Sequence, residues 1–125
     1  MKCLILTGFE FSYDFTLNLH NIKKLYLTSC NYINYEESNI LNDLSLYQCK
    51  LSKTNHLLKF PEIESLAIKD IINLNIDLSC LNKLKIYKGD VEHFLSLGTN
   101  LLEKVYLNSL LFEQKIIEKL ISIIS

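Results

Sequence analysis

Three His, four Cys and two close pairs of acids are the side chains through which this chain could do acid–base, metal or thiol chemistry. His20, His56 and His93 are far apart, and none has a nucleophile beside it, which general-base work requires. Cys3, Cys30, Cys49 and Cys80 are 27, 19 and 31 residues apart, with no CxxC pair and no His at ligand spacing. They read as reduced, buried, small hydrophobes. Glu36-Glu37 and Glu62-x-Glu64 read as solvated acids on turns, and Gly8, Gly89 and Gly98 form no phosphate-cradling loop. The expectation is a chain with no catalytic residues, no cofactor and no metal.

Recognition chemistry is better supplied. The chain has 13 Lys, no Arg and seven Tyr, and Tyr offers large contact area at low entropic cost. Where these side chains point depends on the elements that carry them, and a repeat sets those. One pattern occurs six times: apolar, two variable, apolar, one variable, apolar, two variable, then small or apolar. It reads Met1-x-x-Leu4-x-Leu6-x-x-Phe9, Ile22-x-x-Leu25-x-Leu27-x-x-Cys30 and Leu41-x-x-Leu44-x-Leu46-x-x-Cys49. It continues as Ile63-x-x-Leu66-x-Ile68-x-x-Ile71, Leu81-x-x-Leu84-x-Ile86-x-x-Gly89 and Leu102-x-x-Val105-x-Leu107-x-x-Leu110. Starts near 1, 22, 41, 63, 81 and 102 are nearly evenly spaced. The alternation inside each unit is that of a strand with one buried face. Five residues of strand cannot close a core alone, so stacked units must pair in parallel and bury their Leu columns together.

Over almost its whole length the sequence resembles the leucine-rich repeat family, whose unit is LxxLxLxx(N/C)xL. Cys30 and Cys49 stand in the Asn/Cys slot, and Asn never does, so the usual Asn ladder is absent. The resemblance implies an α/β class fold: one short solenoid over 1–125, about six parallel strands on its concave face and mostly irregular returns. Return segments carry apolar anchors such as Phe15, Leu17, Leu19 and Phe60, and 91–97 is the best short helix. Phe112, Ile116, Ile117, Leu120, Ile121 and Ile124 recur at helical spacing, which predicts an amphipathic capping helix over about 112–124. Cys30 and Cys49 would lie in neighbouring rungs about 5 Å apart, near disulfide reach, although stacked reduced thiols are the plainer reading.

Under that resemblance the variable positions around each Leu pair form the concave face. On this frame 24 positions hold six Lys and two Asp, a balance of +4, against −5 for the rest of the chain. The expected contact set is Lys24, Tyr26, Tyr47, Lys69, Lys83, Lys85, Tyr87, Lys88, Lys104 and Tyr106, densest toward the C-terminal half. Exposed strand positions also hold Lys, Tyr and Thr merely because they are solvated. The favoured function is an accessory subunit that binds a protein with an acidic or polar surface. The alternatives are an RNA-binding accessory protein of a ribonucleoprotein such as the ribosome, and a self-associating structural solenoid.

Length suits one domain with a real core, and Leu plus Ile make up about a third of the 125 residues. Hydrophobic residues at 49% exclude a disordered tail, and a net charge of −1 gives no global drive onto nucleic acid or membrane. The apolar start ends at Thr7, too short for a secretory signal, and no window is long enough for a membrane helix. A cytoplasmic location follows as the expectation. The first strand begins almost at Met1, and its outer edge is then covered by a partner or a second copy, or left bare and tolerated.

Overall fold

The computed structural model describes residues 2–12, 14–51, 59–71, 80–90, 94, 102–108 and 114–124. Its centre is a parallel sheet of six five-residue strands: β1 (Cys3–Thr7), β2 (Lys24–Thr28), β4 (Asp43–Tyr47), β6 (Ser65–Lys69), β7 (Ile86–Asp90) and β8 (Lys104–Asn108). They lie side by side in chain order, as stacked rungs of a solenoid must. Two short strands, β3 (Asn31–Ile33) and β5 (Lys50–Leu51), pair in parallel as a second, smaller sheet on the return side. The returns after β2 and β4 thus open on an extended segment.

The alternation in each rung decides which face is buried. Leu4, Leu25, Leu44 and Leu66 stand in one register, and Leu6, Leu27, Leu46 and Ile68 in the next. The six in the inner rungs are at most 1% exposed. Each such side chain stabilises the stack by about 1.5–3 kcal/mol. Leu17, Leu19, Ile33, Leu51, Phe60 and Phe94 close the core from the returns, with Tyr35 edge-on to Phe60 at 5.1 Å. Ser38 is buried because its Oγ accepts from the Ile40 and Leu41 N–H groups at 3.3 and 3.2 Å.

Strands β1, β2, β4 and β6 end on the same device. Gly8, Ser29, Gln48 and Asp70 all have positive φ, between 52° and 77°. For the three that are not glycine this costs about 1–2 kcal/mol each. Cross-rung hydrogen bonds hold them there. The Gly8 N–H donates to the Thr28 carbonyl, Ser29 to Tyr47 and Gln48 to Lys69, each at 2.9 Å. At the fourth turn the Asp70 N–H donates instead to Asp90 Oδ2 at 3.1 Å.

Past the turn, Cys30 and Cys49 are 0% exposed, and they form a ladder of their own. The Cys30 thiol reaches the carbonyls of Leu6 and Thr28 at 3.6 and 3.5 Å, and the Cys49 thiol those of Leu27 and Tyr47, both at 3.4 Å. Thiols therefore link successive rungs, as weak donors, in the slots where the usual Asn ladder is absent. Both are free, and burial pushes the Cys49 thiol upward, which opposes thiolate formation and disulfide chemistry.

The fifth rung corrects the sequence frame. Ser65 pairs with Ile86, Leu66 with Tyr87, Ala67 with Lys88 and Ile68 with Gly89. Leu84, rather than Leu81, therefore fills the slot of Ile63, and the unit reads Leu84-x-x-Tyr87-x-Gly89. Both Leu81 and Leu84 are buried, so periodicity alone could not separate the two frames. Phe15, expected as a return anchor, is 46% exposed. An α-helix, α1 (Gln114–Ile124), lies within the predicted span, whose first two positions fall outside the described residues, and its Ile117 and Ile121 are 39% and 57% exposed. The predicted short helix over 91–97 falls outside the described residues except at Phe94, which is helical.

Candidate functional site

The side of the main sheet opposite the Leu columns is open, and the observed register sets what it carries. Its first column holds Cys3, Lys24, Asp43, Ser65, Ile86 and Lys104. The middle column holds Ile5, Tyr26, Ser45, Ala67, Lys88 and Tyr106, and the third Thr7, Thr28, Tyr47, Lys69, Asp90 and Asn108. Two adjacent small residues, Ser45 and Ala67, lower the middle of this surface. A cavity of about 460 Å³ opens there, flanked by Tyr47, Lys69 and Lys88.

Electrostatics around the cavity is locally organised. The Lys69 ammonium lies 5.4 Å from the centre of the Tyr47 ring, a cation–π pair that holds a positive charge at the rim. Asp90 is occupied by the Asp70 N–H. On the other side, the Tyr26 hydroxyl donates to Asp43 Oδ2 at 2.7 Å. That hydrogen bond, with burial and the carboxylate charge, raises the Tyr26 pKa to about 12. The carboxylate of Asp43 is thereby partly answered, while Lys88 is exposed and makes no ion pair among the described residues.

Of the ten expected contact residues, the register brings Lys24, Tyr26, Tyr47, Lys69, Lys88, Lys104 and Tyr106 onto this face. Three do not belong to it. Tyr87 is 0% exposed, points into the core beside Phe94 at 5.8 Å, and donates its hydroxyl to the Asp90 carbonyl at 2.8 Å. Burial raises its pKa well above that of a free tyrosine. Lys83 and Lys85 precede β7 and pair with Glu62 and Glu64 at 2.6 and 3.8 Å. With those two Lys gone and Asp90 added, four Lys face Asp43, Asp90 and the turn residue Asp70. The balance falls from +4 to +1.

Sequence reasoning missed one group. Phe9, Phe11 and Phe15 stack in series at 6.2 and 5.5 Å on the outermost rung, with Phe9 50% exposed. Three Phe within seven residues of the first unit was the available signal. For acid–base chemistry, His20 is exposed, with its backbone N–H donating to Asn18 Oδ1 at 3.0 Å. His56 and His93 lie outside the described residues. Glu36 and Glu37 are exposed, and no group of three His, Cys, Asp or Glu among the described residues could hold a metal. No helix among them is long and apolar enough to cross a membrane. No protein-family model matches the chain, and no curated protein or solved structure matches it significantly.

Proposed function

We propose that this chain is a non-enzymatic protein-interaction module: a leucine-rich-repeat-like solenoid, with α1 closing its last rung, that binds through the open face of its sheet. The observation that carries this is the depression floored by Ser45 and Ala67, with Tyr47, Lys69 and Lys88 at its rim. At about 460 Å³ it has room for a protruding segment, and its two ammonium groups favour a carboxylate. The partner is accordingly a protein presenting Asp or Glu on a protruding loop or strand. Aromatic contact by Tyr47 supplies affinity, and the Lys pair sets orientation and association rate.

A random peptide library selected on the folded protein tests this. Enriched peptides are expected to share an Asp or Glu and to lose at least tenfold in affinity against Lys69→Ala/Lys88→Ala. Ala67→Trp, which sets an indole on the floor of the depression, is expected to abolish binding while the circular dichroism spectrum stays unchanged. Binders indifferent to both variants would refute this use of the face. A salt-steep affinity for random single-stranded RNA, lost in the Lys double variant, would replace the protein reading with the RNA one. The face's near balance of charge argues against that outcome.

A further inference from the structure

We propose that two copies of this chain join edge to edge through β1, antiparallel about a two-fold axis at Ile5, into one continuous sheet with six strands from each copy. The argument begins with the backbone. The Lys2 carbonyl accepts from Lys24 on the β2 side, and the Gly8 N–H donates to Thr28 on that same side. In a parallel ladder both groups of a residue face one neighbour, and the side alternates along the strand. Residues 2, 4, 6 and 8 therefore face β2, while Cys3, Ile5 and Thr7 aim their N–H and C=O groups outward. Among the described residues no strand takes up those six groups.

Natural edges are blunted by Lys, Pro or a bulge. Cys3–Thr7 has no charge and no Pro, and it pairs with β2 in unbroken register. An antiparallel partner centred on Ile5 puts Cys3 opposite Thr7, Ile5 opposite Ile5 and Thr7 opposite Cys3. All three pairs fall on outward-facing residues, so every free group is satisfied. The same axis sets Leu4 of one copy against Leu6 of the other, extending the core across the junction where both are only half-buried.

Charge selects a second copy as the occupant. The charged residues flanking β1 are Lys2 before it and Glu10 after it, both exposed and neither ion-paired among the described residues. An antiparallel junction brings the Lys2 end of each copy to the Glu10 end of the other. The stacked Phe9, Phe11 and Phe15 lie on the same outermost rung and supply apolar surface beside the junction. A two-fold contact of this kind is closed, so association stops at the dimer. It leaves the open-face depression uncovered and does not depend on what that depression binds.

Sedimentation equilibrium of the full chain, with Ile5→Lys and Ile5→Pro alongside, tests the junction. Ile5 is 66% exposed and its N–H faces away from β2, so neither change removes a β1–β2 hydrogen bond. The first sets two ammonium groups face to face on the axis, and the second removes the central donor. The expected result is a mass rising to two chains with concentration, and association at least tenfold weaker in both variants with unchanged circular dichroism. If the Pro variant misfolds, Ile5→Cys in a Cys3→Ser background decides. Hydrogen-bonded antiparallel partners have Cα atoms about 5.5 Å apart, so mild oxidation should link the copies through residue 5. A single-chain mass at the highest concentration overturns the proposal. So does association undiminished by Ile5→Lys, open-ended growth, or no residue-5 cross-link.

Discussion

Gly89 sits in a core slot that earlier rungs fill with Leu6, Leu27, Leu46 and Ile68. A Cβ there would stand 1.8 Å from the Ile68 carbonyl oxygen, and φ is +148°, outside the range of ordinary L residues. Gly89→Ala is thus expected to cost more than about 2 kcal/mol in urea unfolding, far beyond a loop glycine substitution. Gly8 also has positive φ, but nothing lies within 4 Å of a Cβ built on it, so Gly8→Ala bears only the backbone strain and should cost less. Tyr26 makes a different kind of prediction. Its folded pKa of about 12 exceeds the ordinary value of 10, so the neutral phenol is what the fold favours. That contribution is complete below pH 10 and is lost as pH rises toward 12. Phenolate absorbance should show a late-titrating tyrosine that Tyr26→Phe removes, and Asp43→Asn should move it earlier.

The fifth rung shows what was legible in the sequence at the level of elements and what was not. Six strands, their order and their inward Leu columns follow from alternation alone, and the structure places five of the six in the predicted frame. The remaining strand has apolar residues in two frames three residues apart, and the one that fits the Leu pattern best is the one not adopted. Side chains outside the pattern distinguish them: a 21-residue offset matches Lys83 to Glu62 and Lys85 to Glu64, and Tyr87 gains Phe94. Opposite charges at a common offset were readable, but only by comparing residues beside the motif. The frame is testable through Tyr87. Tyr87→Phe keeps the packing and forfeits one hydrogen bond, at about 1 kcal/mol, whereas Tyr87→Ala should cost about 3–5 kcal/mol. A surface Tyr would lose under about 0.5 kcal/mol in either variant, so thermal melts of the pair separate the frames. The candidate site was legible in part for the same reason: the columns of the first four rungs stand, and of the three Lys placed in the fifth, Lys83 and Lys85 go into ion pairs while Lys88 stays on the face.

Among the described residues each strand of the main sheet hydrogen-bonds only to its neighbours, so stability is close to a sum of rung and junction contributions. An inner rung matters to two junctions and an outer one to one. Leu44→Ala, at 0% exposure in β4, is expected to cost about 2–5 kcal/mol and to lower the urea m-value as the two ends uncouple. Leu4→Ala in β1 should cost less and leave the main transition cooperative, because Leu4 is only half-buried. Chemical denaturation followed by far-UV circular dichroism reads both quantities from one curve.

The thiol ladder also gives the solenoid a clock. Cys3 is exposed on the first rung, while Cys30 and Cys49 are sealed in the second and third, each held to the rung before it. An alkylating reagent must modify Cys3 at the rate of an open thiol and can reach the other two only when their rungs part. Mass spectra taken over time therefore date the opening of successive rungs without any introduced label. Cys30 reacting before Cys49 would mean that the array unzips from the β1 end, and simultaneous reaction would mean that the rungs open as one.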